Sequence, residues 1–219
     1  MFKQSTLKLA LLTVMLLTGL GGILQAAESP AWGPAVPIAT AMVPAAYPER
    51  MMGSPTAKVT VYEYASLTCP HCARWEKNTF EEIKKVYIDT GKVRFIYRDY
   101  PLDQLAYSVA VISRCVPEAN YFPFIQALFK AQEQWATSDT PMTQVKQMAA
   151  LVGLPSAAVD ACLKNKDLID QMETIRKQAE DRLQIDSTPS FIVAGYKKSG
   201  EISVEAFSKQ LDAALAAAQ

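Results

Sequence analysis

One tetrapeptide of this 219-residue chain, Cys69-Pro70-His71-Cys72, combines residue types that can make and break a covalent bond reversibly. Two cysteines separated by two residues can form a disulfide within one helical turn, and the residues between them help to set how oxidising that disulfide is. His71 is the only histidine of the chain. The tetrapeptide therefore indicates dithiol–disulfide exchange.

The position of Cys69 just before a predicted helix favours its ionised form. The apolar pattern is helical from Pro70 to about Ile88, and Gly91 is a typical stop. A helix N-terminus carries a partial positive charge and free N–H groups, to which a protonated His71 would add a second charge. We therefore expect Cys69 to be a nucleophile with a lowered pKa, and Cys72 to be the more buried, resolving thiol.

Three other uses of a Cys-X-X-Cys pair fit the sequence less well. A zinc site needs two more ligands, but Cys115 and Cys162 stand alone in the sequence. Haem attachment requires a histidine directly after the second cysteine, where this chain has Ala73. A purely structural disulfide would close a tiny loop and stabilise little. The prediction is redox chemistry with no metal and no dissociable cofactor.

Glu63 is a second candidate for the same site. It is the only acid in the β-branched and aromatic segment 59–64, which predicts a strand leading to Cys69. Since strands alternate, its side chain points either to solvent or inward. If it points inward, a raised pKa would let it take a proton from Cys72 during exchange.

Thr188-Pro189 precedes another strand-like segment, 191–194, which follows the strands predicted at 59–64 and 93–97. A proline is tolerated at the first residue of a buried strand. The bond before it is either a trans bond in a loop or a cis bond, which would turn the backbone toward a neighbouring helix start. The residues alone leave both alternatives open.

The N-terminal residues 1–27 are typical of a secretory signal peptide. Lys3 and Lys8 precede the apolar run Leu9–Leu24, and small residues at Ala26-Ala27 offer a cleavage site. The alternative is an uncleaved membrane anchor, although the run is short for a spanning helix, which needs roughly 20 apolar residues. Either way, we expect the rest of the chain to be exported.

The rest of the chain suggests one domain preceded by an arm. Residues 28–57 are rich in Pro, Ala and Gly and read as a linker or extended arm, so the domain is expected at 58–219. Strand, helix and strand come first, and strands and a helix close the chain, with a helical insertion at about 104–185 between them. The predicted helices of the insertion are Leu105–Cys115, Tyr121–Trp135, Pro141–Leu151, Pro155–Leu163 and Leu168–Leu183.

The 22 acidic and 22 basic residues balance, and no basic stripe indicates nucleic acid.

Cys115 and Cys162 both fall in the predicted helical insertion. They are either small buried hydrophobic residues or a second disulfide that would brace the helices. Because disulfides persist in exported proteins, the compartment favours a Cys115–Cys162 bridge.

Taken together, these segments resemble the DsbA family of periplasmic thiol–disulfide oxidoreductases, in its branch with a DsbA-like thioredoxin domain. The resemblance extends from about Lys58 to the C-terminus and includes the segments 95–103, 190–195 and 199–202. It implies an α/β thioredoxin fold with an inserted α-helical domain and a periplasmic location.

The resemblance also implies residue roles and partners. Cys69 matches the family's nucleophile and Cys72 its resolving cysteine. Thr188-Pro189 matches the cis-proline loop whose backbone binds substrate, and Glu63 matches the buried acid. Reduced or misfolded exported polypeptides would be the substrates, and a DsbB-type, quinone-linked membrane protein would reoxidise the enzyme.

The sequence thus predicts an oxidase that introduces disulfide bonds into exported proteins. A disulfide isomerase or reductase on the same fold is the alternative, because threonine before the cis-proline occurs in both oxidases and isomerases. Isomerases of this type resemble V-shaped dimers with a dedicated dimerisation domain, for which segment 28–57 is too short. A third hypothesis is a peptide-holding module in which the Cys69–Cys72 disulfide is only structural.

Overall fold

The computed structural model describes residues 32–33, 35 and 47–219. The predicted signal peptide, 1–27, and much of the predicted arm lie outside the described residues. Among the helices of the described ranges, none is long and apolar enough to cross a membrane.

A five-stranded mixed sheet forms the centre of the fold, in the order β1-β3-β2-β4-β5. Its strands are β1 (Arg50–Met52), β2 (Val59–Ala65), β3 (Val93–Asp99), β4 (Ser190–Val193) and β5 (Tyr196–Ser199). β2 and β3 run parallel, and the other neighbouring pairs are antiparallel. Parallel neighbours need a crossover connection, which is supplied by the helix beginning at Pro70.

Eight helices and a short 3-10 helix, Glu118–Asn120, lie in the described part of the chain. The first, α1, covers residues 70–88 and alternates between α-helical and π-helical turns: Pro70–Trp75, Glu76–Phe80, Glu81–Ile83 and Lys84–Ile88. The others are α2 (Gln104–Cys115), α3 (Tyr121–Lys130), α4 (Gln132–Ala136), α5 (Pro141–Leu151), α6 (Ser156–Cys162), α7 (Lys166–Leu183) and α8 (Val204–Ala217). Asp103, Asn165 and Ser203 accept the first backbone N–H bonds of α2, α7 and α8, as N-cap residues typically do.

The helices α2 to α7 all stand between β3 and β4 in the sequence, so the two ends of the chain build one sheet around an inserted helical domain. The predicted helix Tyr121–Trp135 is divided in two. Ala131, at φ −100° and ψ 11°, leaves the helical region between α3 and α4. This break makes Gln132 the first residue of a short separate helix.

The described parts of segment 28–57 belong to the fold. β1 pairs with β3, with Met51 opposite Ile96, so the sheet begins before Lys58. At the other edge of the sheet, the N–H of Gly33 donates to the carbonyl of Lys197 at 2.8 Å. One part of this segment therefore forms the edge strand β1, and another part bonds to the opposite edge strand, β5.

An aromatic cluster joins α1 to the sheet and to α8. Trp75 lies on α1 three residues after Cys72, and its ring centroid is 4.5 Å from that of Phe191 on β4 and 5.6 Å from that of Phe207 on α8. All three rings are almost completely buried. Truncating a buried aromatic ring costs about 3–5 kcal/mol, so this packing holds α1 firmly against β4.

Candidate active site

The loop after β2 brings Cys69 to the N-terminus of α1. Cys69 is the N-cap residue in extended conformation, and its carbonyl accepts from the N–H of Ala73 at 3.2 Å. Pro70 takes the first helical position, where a missing N–H costs nothing and the fixed φ suits the helix. Cys69 is 6% exposed, whereas Cys72 is completely buried. Cys69 is therefore the less buried residue of the pair.

The surroundings lower the pKa of Cys69 from 9.0 to about 5. The largest cause is a hydrogen bond with the side chain of Cys72, and burial acts in the opposite direction. The side chain of Thr188 and the backbone N–H groups of Cys72 and His71 lower the pKa further. In the structure both cysteines are free thiols. At neutral pH, Cys69 is thus expected to be a thiolate in the reduced protein.

Cys72 has the opposite electrostatic character. Burial raises its pKa well above the usual value of a thiol, and the hydrogen bond and charge of Cys69 and the charge of Glu63 raise it further. One turn of helix therefore carries an ionised thiol and a protonated one. This asymmetry is the arrangement expected of a nucleophile and a resolving cysteine.

Glu63 points inward, which decides between the two alternatives left open by the sequence. It stands on β2 between Tyr97 of β3 and Phe191 of β4 and is 2% exposed. Burial raises the pKa of its carboxyl well above the usual value, and the charges of Glu76 and Cys69 raise it further. This carboxyl thus lies in the electrostatic neighbourhood of Cys72, and its raised pKa favours the protonated form.

Glu76 is a member of this acidic neighbourhood that the sequence reasoning missed. It lies on α1, four residues after Cys72, and is partly buried. Burial raises its pKa to about 8, with a smaller contribution from the charge of Glu81. The spacing of four residues was a usable signal, because residues i and i+4 share one face of a helix.

The ring of His71 lies in an exposed charge cluster rather than against the thiolate. Its Nδ1 is 2.7 Å from a carboxylate oxygen of Glu201, and Arg74 donates to the same oxygen at 2.9 Å from Nε. Arg74 foremost, and His71 next, lower the pKa of Glu201. The sequence predicted that a protonated His71 would add a positive charge near Cys69; in the structure the backbone N–H of His71 also lowers the pKa of Cys69.

The loop before β4 lies against the sulfur of Cys69. The peptide bond between Thr188 and Pro189 is cis. The thiol form of Cys69 donates a hydrogen bond to the carbonyl of Thr188 at 3.3 Å, across 119 residues of sequence. The fold therefore joins the tetrapeptide and the Thr188-Pro189 loop in one site.

Gln132 also reaches the site, and nothing in the local sequence pointed to it. From α4, its Nε2 donates to the carbonyls of Leu67 at 2.8 Å and Cys69 at 3.0 Å. The helical insertion thus contacts the loop that presents Cys69.

Cys115 and Cys162 form a disulfide that joins the ends of α2 and α6, with their Cα atoms 6.4 Å apart. It lies within the helical insertion and links residues 47 apart in sequence. Within the described ranges, no group of three or more His, Cys, Asp or Glu side chains is arranged to hold a metal ion.

Comparison with known proteins identifies the family. A model of the family described as thioredoxin matches residues 46–213. A putative protein-disulfide oxidoreductase of Rickettsia felis is 29% identical over 168 residues, which are 76% of this chain and 60% of that protein. A probable disulfide bond formation protein D of Bacillus cereus is 24% identical over 157 residues, 67% of this chain and 70% of that protein. The chain spans about 60% of the length of the Rickettsia felis relative.

Solved structures extend the comparison to the whole domain. Alpha-DsbA1 from Wolbachia pipientis is 29% identical, with a TM-score of 0.75, covering 82% of this chain and 96% of that one. A variant of the same Wolbachia protein with one substitution is 30% identical, with a TM-score of 0.73 and coverages of 78% and 92%. BdbD from Bacillus subtilis shares the fold, with a TM-score of 0.71 at 18% identity and coverages of 86% and 100%. The predicted α/β thioredoxin fold with a helical insertion is confirmed, and the chain belongs to the DsbA-like branch of the thioredoxin family.

Proposed function

We propose that this chain is an exported thiol–disulfide oxidoreductase that introduces disulfide bonds into other exported proteins through Cys69 and Cys72. The observation that carries the proposal is the contrast between two thiols in one helical turn. The pKa of Cys69 is lowered to about 5, whereas burial raises that of Cys72 well above its usual value.

This contrast supports an oxidase. Whatever stabilises the Cys69 thiolate stabilises the reduced enzyme, so the disulfide form accepts electrons more readily. A thiol of low pKa is also a fast leaving group, which speeds release of the oxidised product. Names of relatives support the reaction class, since they include a putative protein-disulfide oxidoreductase and a probable disulfide bond formation protein.

The reaction begins with the oxidised enzyme. A substrate thiolate attacks the sulfur of Cys69, the Cys69–Cys72 bond breaks, and its electron pair goes to the sulfur of Cys72, which takes up a proton. The second substrate thiol loses its proton and attacks the substrate sulfur of the mixed disulfide. Cys69 then leaves as a thiolate. Two electrons have passed from substrate to enzyme, and the substrate holds a new disulfide.

Glu63 is proposed as the group that exchanges the proton with Cys72. Its carboxyl is buried and its raised pKa lets it hold a proton inside the domain. It donates this proton as the Cys72 sulfur becomes free, and takes a proton from Cys72 when the enzyme is reoxidised.

Thr188 and Pro189 are proposed to hold the substrate beside the reacting sulfur. The carbonyl of Thr188 lies 3.3 Å from the sulfur of Cys69. An extended substrate segment lying along the backbone of this loop would therefore place its cysteine next to Cys69.

The proposed compartment is the periplasm, with a DsbB-type, quinone-linked membrane protein as the acceptor of the two electrons. The predicted signal peptide and the Cys115–Cys162 disulfide support an oxidising compartment. The substrates would be reduced or misfolded exported polypeptides, and the redox-active disulfide would serve without a further cofactor.

Equilibration with glutathione tests the direction of exchange. We expect a potential at the oxidising end of the thioredoxin scale, roughly −120 mV, whereas a value near −270 mV would indicate a reductase. Refolding assays should run in parallel from reduced and from scrambled substrate. An oxidase accelerates refolding of the reduced substrate more than that of the scrambled substrate. The opposite ranking would favour an isomerase.

A further inference from the structure

A buried side chain of the helical insertion holds the loop that presents Cys69. Gln132 is 7% exposed, and its Nε2 donates to the carbonyl of Leu67 at 2.8 Å and to that of Cys69 at 3.0 Å. An amide nitrogen carries two hydrogens, so one group serves both carbonyls. We propose that Gln132 is a positioning residue: by holding Cys69, it keeps the Cys69–Cys72 disulfide strongly oxidising. This inference rests on the exchange activity proposed above.

The two carbonyls stand on either side of Thr68 in the turn between β2 and α1. The N–H of Cys69 closes this turn by donating to the carbonyl of Ser66 at 3.1 Å. Fixing the carbonyl of Cys69 fixes the plane of the Cys69–Pro70 peptide, and with it the direction of the helix that follows. The N–H groups of His71 and Cys72, which lower the pKa of Cys69, are therefore held toward its sulfur.

The short helix α4 is suited to place this amide. Trp135, one turn after Gln132, is completely buried, and its Nε1 donates to the carbonyl of Leu128 at 2.8 Å across the break between α3 and α4. A locked neighbour on the same helix limits the positions open to Gln132. The break at Ala131 thus starts a helix whose first residue points into the thioredoxin part of the domain.

The effect of Gln132 should fall mainly on the reduced enzyme. In the oxidised enzyme a covalent bond holds the sulfur of Cys69 beside Cys72. In the reduced enzyme only hydrogen bonds hold the thiolate against the helix start. Loosening the turn therefore destabilises the reduced form more than the oxidised form, and the disulfide becomes a weaker oxidant.

The test compares Gln132→Met with Gln134→Met. Methionine keeps a similar length and removes the donors, and Gln134 is an exposed residue of the same helix. For Gln132→Met we expect a higher Cys69 pKa, measured by thiolate absorbance at 240 nm. We also expect the equilibrium constant for oxidation of glutathione by the disulfide to fall at least about threefold. For two electrons this lowers the reduction potential by ~14 mV. Gln134→Met should match the unsubstituted protein.

A second variant guards against misfolding. Gln132→Asn keeps the amide but is one methylene too short to reach both carbonyls, and it should shift both measurements in the same direction. A wild-type potential and Cys69 pKa in either folded variant would overturn the inference. Absence of a reversible Cys69–Cys72 disulfide in the unsubstituted protein would instead overturn the proposed function, so the two failures are distinguishable.

Discussion

The two cysteine pairs of this domain have the same two side chains but opposite surroundings. Cys69 and Cys72 share one turn at a helix start, and their pKa values are moved in opposite directions. Cys115 and Cys162 are 47 residues apart and tie two helices of the insertion together. The comparison teaches that the surroundings, and not the residue type, decide whether a cysteine pair is suited to reversible exchange or to a permanent disulfide.

Loop length separates the pairs energetically as well. A disulfide that closes a loop of two intervening residues removes little entropy from the unfolded chain, so breaking it costs little stability. A bridge across 47 residues removes much more. Opening a Cys69–Cys72 bridge would therefore cost the fold little stability, whereas the Cys115–Cys162 bridge contributes to the stability of the fold.

The largest expected effect is on activity. Cys69→Ser should reduce oxidative refolding of a reduced substrate to the uncatalysed rate, because the other sulfur of the site, that of Cys72, is completely buried and has a raised pKa. Cys115→Ala/Cys162→Ala should keep most of the activity at a temperature where it is folded. Full activity of Cys69→Ser would mean that the Cys69–Cys72 pair is only structural, and would favour a peptide-holding role.

Titration of the reduced protein should separate the two thiols of the first pair. The 240 nm absorbance is expected to rise with a midpoint near pH 5, the lowered pKa of Cys69. In Cys72→Ala the midpoint should move up, because the Cys72 side chain is the largest cause of the lowering. A midpoint near 8.5, that of an ordinary thiol, would remove the basis for a strong oxidant.

The same shift predicts how stability depends on pH. Above about pH 5 the folded reduced protein carries a Cys69 thiolate, while the unfolded chain keeps this proton up to about pH 8.5. At Cys69 the unfolded state thus binds one more proton in this window, so the stability of the reduced protein relative to that of the oxidised protein should rise with pH across it, and this contribution is lost as pH falls toward 5. Urea unfolding of reduced and oxidised protein at several pH values measures the difference.

Local patterns predicted the parts of the site that are contiguous in sequence. The tetrapeptide follows a strand and opens a helix, so the position of Cys69 at the helix start could be predicted. The inward direction of Glu63 could not, because β2 is buried on both faces and loses its alternation signal. The contact of Gln132 with Cys69 spans 63 residues, and that of His71 with Glu201 spans 130. Such contacts exist only once the helices have packed.

Removing the second pair should lower stability rather than catalysis. For Cys115→Ala/Cys162→Ala we expect a loss of roughly 2–4 kcal/mol in the free energy of unfolding, since the bridge closes a long loop. Urea denaturation monitored by fluorescence gives the value. Cys69→Ala/Cys72→Ala, compared with the oxidised protein, in which Cys69 carries no thiolate, is the matched control and should change stability much less. A larger loss in this control would contradict the division of roles.

Glu63→Gln tests the proton route to the buried member of the first pair. We expect reoxidation to slow by up to about a hundredfold, at the lower end of general acid–base contributions. Because burial raises the pKa of Glu63, the folded protein loses stability as pH rises above the ordinary carboxyl range. Glutamine stays neutral, so the variant should be more stable than the unsubstituted protein at neutral pH, with a smaller difference at low pH. Glu82→Gln, an exposed change on α1, should alter neither.

The smallest effect is expected from the charge cluster at the outer side of the helix start. Glu201→Gln removes one negative charge next to Arg74 and His71, which leaves the N-terminus of α1 more positive and favours the Cys69 thiolate. Since these side chains are partly exposed and screened by solvent, we expect a change of at most about threefold toward a stronger oxidant in the glutathione equilibrium, fading in 1 M salt. Glu205→Gln, exposed in the first turn of α8, is the matched control. A change toward a weaker oxidant would show that Glu201 acts by holding the His71 ring rather than through its own charge. The cluster of Glu201, Arg74 and His71 would then be one of the features that distinguish the first cysteine pair from the second.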